Sequence, residues 1–347
     1  MNRIIVVAAI LFSVGACQLR TAEPVNTSER IPDEQISLGG VLADELTKTN
    51  QVGRDADKRG PVYMVTIEEL QKLLEQTKST GTDLDDTDIG ERWENLNTEV
   101  TNTFESLTTQ DLNAWVALND SLLKYTQQVR FADALERVVY NPVNDVLETD
   151  QVKSFYFTRL YDRIYFNVFG SSSLHYEHTT GGVVRIVQDT DYPFDGRVSI
   201  KLELQDKRYL DLFIRIPEWA NRASVTVKGV KYNVVPGQYT EIAKKWKNGD
   251  EVEIILGMRP ELVSREEPTK AFSLNYGSLM LSYPGSEGKQ PPVFTGTDPI
   301  QHLKFVSPVG KMPTFTFSGI QDTTLVLQPF IQQELGSNLR TSWIQVR

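Results

Sequence analysis

The chain has 347 residues, 40% of them apolar and 24% charged, enough to bury more than one core in an ordinary globular protein. Its formal net charge of −10 and the lack of clustered Lys and Arg argue against nucleic acid as a partner, because that binding rests on cations that displace counterions from phosphates. The nearest basic run, KKWK at 244–247, lies at a strand turn and reads as a solvated loop.

Residues 1–16 run from Arg3 through the apolar IIVVAAILF to SVGA: a positive end, an apolar stretch too short to span a bilayer, then small residues. This pattern predicts a secretion signal, and Cys17 follows it directly. SVGAC resembles the bacterial lipobox, whose cysteine is acylated and becomes the new N-terminus. The alternative is an ordinary signal cut near Ala16 or Ala22 beside a stray thiol. Cys17 is the sole cysteine of the chain, so no disulfide can form within it, and acylation explains a thiol at this place better than redox chemistry does. Each buried methylene of an acyl chain contributes about 0.8 kcal/mol, so two or three long chains would hold the protein on a membrane almost permanently. The expected location is the cell envelope, with the membrane as a partner through the lipid. Gln18, where an inner-membrane retention signal favours Asp, points to the outer membrane of a Gram-negative host. Cleavage of residues 1–16 would remove Arg3 and no acid, taking the charge from −10 to −11.

Residues 17–60 are polar with little periodicity and read as a tether, with one short ordered segment at ISLGGVLADEL, 36–46. Residues 61–150 read as a helical subdomain. MVTIEELQKLLEQT at 64–77 has Thr66 and Glu69 at capping-box spacing and Leu70, Leu73 and Leu74 on one face. The loop at 79–90 carries Asp83, Asp85, Asp86 and Asp88 but lacks the glycine and the terminal glutamate of a calcium loop, and reads as solvated. From 110 to 140, Leu112, Trp115, Val116, Leu118, Leu122 and Tyr125, then Phe131, Leu135, Val138 and Val139, repeat at three and four and predict two packed helices. After 150 the pattern changes to alternation between Gly, Pro, Asn and Asp turns. The expected class is mostly β: a sandwich over 151–262 and a C-terminal β domain over 263–347, as a tandem β-sandwich or jelly roll behind the helices.

Several strand phrases carry a family signal. VVRIVQDTDYPFDGRVSIKLEL (183–204), LFIRIPEWANRASVTVKG (212–229), PGQYTEIAKKWKNGDEVEIIL (236–256) and AFSLNYGSLMLSY (271–283) resemble the β-sandwich portion of glycoside hydrolase family 127, the β-L-arabinofuranosidase-like proteins. LVLQPF with NLRTSW (325–343) is similar to that family's closing strands. Upstream, LNDSLLKYTQQVRFADALERVVYN (118–141) resembles the last helical hairpin of its six-hairpin (α/α) barrel. The phrases are scaffold motifs first: Pro193 fixes a backbone angle beside the Asp195–Gly196 turn, Trp219 offers apolar surface, and Asn248–Gly249 separates two strands as a hairpin turn.

The resemblance implies a catalytic zinc held by a glutamate and cysteines, one cysteine acting as nucleophile. Thiolates suit this chemistry because they bind zinc tightly and attack carbon once deprotonated. The family's Glu-x-Cys motif, aligned on Trp115 and Leu118, falls on Thr108 and Gln110; a shift of three recovers Glu105 but places Leu107 at its cysteine position. The segment that should carry a cysteine pair is reduced to residues 142–163, 22 positions without a cysteine. A full barrel needs on the order of 190 residues, from twelve helices and their connections. Residues 60–141 supply 82, so a truncated barrel remnant is expected, with neither metal nor cofactor.

Other residues invite chemistry. Asp191 and Asp195 are a carboxylate pair by type but read as turn acids. His175 and Glu177 would share one strand face with His178 on the other, a poor metal set; no G-x-S-x-G elbow appears. Among Tyr156, Tyr161, Tyr165, Phe166 and Trp246, the first two are the candidates for a sugar-stacking platform because they lie in the shortened joint. The preferred reading is a lipid-anchored, catalytically inactive relative that binds glycan or serves an envelope complex. Its rivals are an active glycoside hydrolase with a rebuilt site drawn from Glu105, Asp145, Glu148 and Asp150, and a structural subunit whose barrel comes from an envelope protein partner.

Overall fold

The computed structural model describes residues 35–38, 62–84, 87–142, 147, 149–265, 270–284, 292–309, 312–320, 323–330 and 340–347. Cys17, Asp85, Asp86, Asp145 and Glu148 lie outside the described residues.

Among the described residues, five α-helices follow a short strand at Gln35–Leu38: α1 (Met64–Thr80), α2 (Ile89–Thr103), α3 (Thr109–Thr126), α4 (Val129–Tyr140) and α5 (Thr149–Tyr156). The capping box expected at Thr66 and Glu69 does not form, because α1 already begins at Met64 and places Thr66 inside its first turn. Its entry is held from elsewhere: the Val62 and Tyr63 N–H groups donate to Asp111 Oδ1 at 2.9 and 2.7 Å. The box occurs one helix hairpin later, where Thr108 caps α3 and exchanges hydrogen bonds with Asp111. α2 has no counterpart among the expected elements, yet Ile89, Trp93, Leu96 and Val100 recur at four, three and four and are all buried. The α3–α4 hairpin matches the two helices expected from 110 to 140. Gln127, left-handed at φ 53°, donates its N–H to Leu123 O and ends α3.

The strands that follow β1 (Gln35–Leu38) build two sheets over one core. The larger has the order β1, β4 (Ser172–Glu177), β5 (Val183–Thr190), β6 (Arg197–Leu204), β11 (Glu251–Ile255), β8 (Ser224–Val227) and β9 (Val230–Tyr232). The smaller has the order β10 (Gln238–Trp246), β7 (Arg208–Ile216), β3 (Arg163–Phe166) and β2 (Phe157–Leu160). Alternation is regular: Leu174, Ile186 and Leu202 sit in register across β4, β5 and β6 and are fully buried, while His175, Arg185 and Glu203, one step along, face out. Strand β1, from the segment expected to be ordered within the tether, extends the sheet through antiparallel pairing with β4.

The final strands close on themselves. β13 (Ala271–Tyr276), β20 (Ile344–Val346), β15 (Val293–Phe294), β17 (Met312–Ile320), β18 (Thr323–Pro329) and β14 (Leu279–Pro284) neighbour one another in turn, and β13 pairs with β14 to complete a six-stranded barrel. β12 (Pro260–Arg265), β16 (Leu303–Val309) and β19 (Arg340–Thr341) flank it. Its interior is a separate apolar cluster with Phe272, Phe294 and Phe317 at centroid distances of 5.6 to 5.9 Å. The mostly β class with N-terminal helices is as expected; closure into a barrel is not legible in alternation, which is the same for open and closed sheets. Among the described residues no helix is long and apolar enough to cross a membrane.

Candidate functional site

The helices, the sandwich and the barrel meet around one buried cation. Arg215 near the end of β7 is fully buried and donates to Asp133 and Glu136, three apart on one face of α4. The Glu218 N–H donates to Asp133 Oδ2 at 3.1 Å, so the loop after β7 is fixed to the same helix. The barrel is joined through Asn141, just past α4: its Nδ2 donates to Ser278 O and its Oδ1 accepts from Met280 N, both in the β13–β14 hairpin. Tyr192, from the DYPFDG turn, donates its hydroxyl to Ser278 Oγ at 2.9 Å.

This triad carries one positive and two negative groups in a dry place. Burial opposes the charge on Arg215, but the two carboxylates outweigh it and the guanidinium stays ionised. Burial dominates for the acids, despite Arg215: Asp133 is pushed up, and Glu136, with the less exposed side chain, is pushed up to about 7.

Above the triad lies a cleft of about 600 Å³. Trp93, Glu94 and Asn97 of α2 and Arg130, Asp133, Glu136 and Arg137 of α4 form one wall; Glu218, Trp219 and Asn221 of the β7–β8 loop form the second. Glu261 of β12, Asn275 of β13 and Gly277–Ser278 of the hairpin form the third. Gly277 is required there: at φ 59° it turns the hairpin, and a Cβ would come within 2.6 Å of Met258 Cε and 3.3 Å of Trp219. Trp93 is locked by stacking on Trp115 and by donating to Asn119 Oδ1 at 3.0 Å, whereas Trp219 is only half-buried and presents its indole to the cleft. Flat rings, carboxylates and amides around a groove of this size can stack on a sugar ring and bond its hydroxyls.

The residues expected to carry chemistry are elsewhere. Glu105 accepts from the N–H and hydroxyl of Ser342 and is pushed up by burial, so it serves as a joint between the helices and the barrel. Asp150 is exposed on α5 and pairs with Lys153 at 2.7 Å. Tyr156 is 1% exposed, with its hydroxyl 3.2 Å from that of Tyr140, so no sugar can stack on it. Tyr161 is exposed in the β2–β3 turn at φ 56°, away from the cleft-lining residues. Tyr165, Phe166 and Trp246 are buried. Asp195 accepts from Arg197 N at 2.9 Å as a turn acid. His175 and Glu177 face out, while buried His178 bonds Tyr209 O and Thr180. Among the described residues no group of three or more His, Cys, Asp and Glu could hold a metal ion.

The sequence did hold a signal for the observed site. An arginine inside the apolar run LDLFIRI, together with two acids three apart on a strongly apolar helix, are charges that a core tolerates only when they meet. Nothing in local spacing says that they meet each other.

Comparison with known proteins separates scaffold from site. Residues 163–258 match the family model of the beta-L-arabinofuranosidase GH127 middle domain. The sandwich resembles GH127. That span runs from β3 to just past β11 and bears out the family likeness read from the strand phrases. Among solved structures, a glycoside hydrolase aligns at TM-score 0.56 and 20% identity, over 69% of this chain and 52% of that chain. A GH127 beta-L-arabinofuranosidase from Geobacillus stearothermophilus aligns at TM-score 0.54 and 15% identity, over 69% and 50%. A GH127 beta-arabinofuranosidase aligns at TM-score 0.55 and 18% identity, over 69% and 49%. These likenesses establish a shared fold, and the chain spans about half the length of the structures it matches. No curated protein matches.

The zinc implied by the GH127 likeness does not fit the residues present. Thr108 is buried and commits its N–H and hydroxyl to Asp111, Gln110 is exposed, and neither is a carboxylate or thiolate. Leu107, the shifted cysteine position, is buried among apolar side chains.

Proposed function

We propose that this chain is a lipid-anchored accessory protein of the cell envelope that binds a glycan in the cleft between helices, sandwich and barrel, and that it does not use the zinc and thiol chemistry implied by its GH127 likeness. The observation that carries the reading is the cleft, where half-buried Trp219 stands among carboxylates and amides contributed by three parts of the fold. The GH127 match of the sandwich supports a saccharide as the ligand class. Anchoring rests on SVGAC and the apolar stretch before it.

A second reading, hydrolysis, is favoured by one observation: Glu136 keeps its proton up to about pH 7, the state a general acid needs. Against it, the Glu136 side chain is only 2% exposed and its carboxyl is held by Arg215, so its proton is not presented to a ligand. The structural-subunit reading finds less support, since among the described residues of α1 to α5 Val65 is the one exposed large hydrophobic side chain.

The test uses residues 18–347, freed of the anchor, with aryl arabinofuranosides and plant and bacterial glycans, measuring binding and release together. Binding without release, lost in Trp219→Ala, is expected. Release abolished by Glu136→Gln would replace the proposal with hydrolysis. Neither binding nor release would leave the structural role.

A further inference from the structure

The two ends of the sandwich differ in charge. The Arg215 end of β7 meets the helices and the cleft. At the opposite end, where β7 starts at Arg208, five hairpin turns come together: β2–β3, β4–β5, β6–β7, β8–β9 and β10–β11. The length of β7 sets the two ends about 25 Å apart.

Cations that are dispersed along the sequence gather at this turn end. Residues 159–163, 177–183, 205–209, 227–231 and 244–250 hold nine Lys and Arg against four Asp and Glu, in a chain that has 36 against 46. One step along the strands, Glu203 and Asp211 pair with Arg185 and Arg163; with these counted, ten cations still face six acids. Asp250 is taken up by Lys228 and Lys244. Lys207, Lys231, Lys245 and Lys247 are exposed and form no ion pair among the described residues. Apolar surface lies beside them. Tyr161 and Tyr209, each 57% exposed, stand at this end with Val183 and Val230, and the four make up most of the six exposed large apolar side chains of residues 157–256. Lys245 is opposite Tyr209 in register. Both tyrosines are braced from behind: buried His178 lies 3.2 Å from Tyr209 O and 3.3 Å from the Asp162 carboxylate, and Arg159 donates to Tyr161 O at 2.8 Å.

The chain also enters the sandwich here. β1 runs antiparallel to β4 with Gln35 opposite His175 and Leu38 opposite Ser172, so its first residue lies at the turn end, 18 positions after Cys17. Residues 17–34 add two arginines and four acids, which leaves the cations in excess.

We infer that the turn end docks on an anionic lipid surface, with its free lysines at the headgroups and Tyr161 and Tyr209 at the interface, and that the cleft faces away from the membrane. The inference rests on the lipid anchor of the proposed function. Basic groups held close to a bilayer by an anchor gain from its negative surface potential, and tyrosine, apolar in body and polar at the tip, suits the headgroup level.

The experiment uses the full chain purified from the membranes of an expressing bacterium and placed on two kinds of vesicle, phosphatidylcholine alone and phosphatidylcholine with phosphatidylglycerol. Acylated Cys17 has no free thiol, so one introduced cysteine carries a fluorophore: Val230→Cys at the turn end or Val235→Cys at the opposite end. Acrylamide, a neutral quencher, reads exposure. On anionic vesicles the label at 230 is expected to be shielded and the label at 235 to stay open; on neutral vesicles both stay open. Raising salt from about 0.1 M to about 1 M should reopen the label at 230. Each lysine at an anionic surface favours contact about fivefold, so Lys245→Glu with Lys247→Glu should lower the ratio of docked to undocked protein by about 25-fold. Equal quenching at 230 on both vesicles would overturn the inference and leave the anchor standing. So would equal shielding at 230 and 235, or shielding at 230 that survives the two lysine reversals. Flotation with the anionic vesicles alone would overturn the anchor and uphold the docking, and flotation with neither would overturn both.

Discussion

Arg215 shows how one side chain can define a site and tie a fold together. Removing it by Arg215→Met would leave Asp133 and Glu136 buried without a cation, and breaking such a set costs about 3–5 kcal/mol. Urea unfolding should show that loss; a change below about 1 kcal/mol would mean that the acids simply take up protons and stay buried. Glu136 also sets a pH dependence. Its carboxyl has an ordinary value of 4.5 and sits at about 7 in the folded chain, so between these the folded state binds the extra proton. Its stabilising contribution is complete below about 4.5 and is lost as pH rises through about 7. Burial pushes Asp133 and Glu105 the same way, adding to the trend. The melting temperature should therefore fall from pH 5 to pH 8, and Glu136→Gln should flatten much of that slope; an unchanged slope would assign it to other groups.

At the scale of elements, the patterns that sequence displays best are those whose partners are close in the chain. The α3–α4 hairpin and the alternating strands of the sandwich are legible because periods of 3.6 and 2 need only local residues to be seen. The start of α1 is not legible locally for the opposite reason: Thr66 and Glu69 have the right spacing, but the chain already turns helical at Met64, and the acceptor for its entry comes from Asp111, 48 positions from Tyr63. Asp111 thus serves two helices, bonding Thr108 at the start of α3 and receiving Val62 and Tyr63 ahead of α1. Asp111→Ala should cost roughly 2–3 kcal/mol, a cap plus buried donors left unpaired. The amides of the first turn of α1 should then exchange with solvent faster than those of α4, whereas a uniform rise along the chain would point to global destabilisation alone.

Across the whole molecule, the site exists because three units converge, and that convergence is the part that sequence could not display. The GH127 resemblance was readable in the sandwich, where strand phrases carry it, yet the cleft depends on contacts between residues such as Glu136 and Arg215, 79 positions apart. Glu105 illustrates the same limit: by type it is a catalytic candidate, and in the fold it holds Ser342, 237 positions away. The barrel has its own apolar core, and besides Leu279, Met280 and Phe330, which pack into the main core, its coupling to the rest runs through a short set of polar links: Glu105 to Ser342, Arg265 to Asn102 O with its guanidinium over Trp343, and Asn141 and Tyr192 to the β13–β14 hairpin. A unit with its own core and few links unfolds separately once those links weaken. Calorimetry of Glu105→Ala should accordingly resolve a second, lower transition for the barrel, while the glycan binding proposed for the cleft should weaken only insofar as Asn275 and Gly277 shift with it. A single transition displaced as a whole would show instead that the helical and barrel cores are coupled by packing beyond these links, and that the cleft is as rigid as either of them.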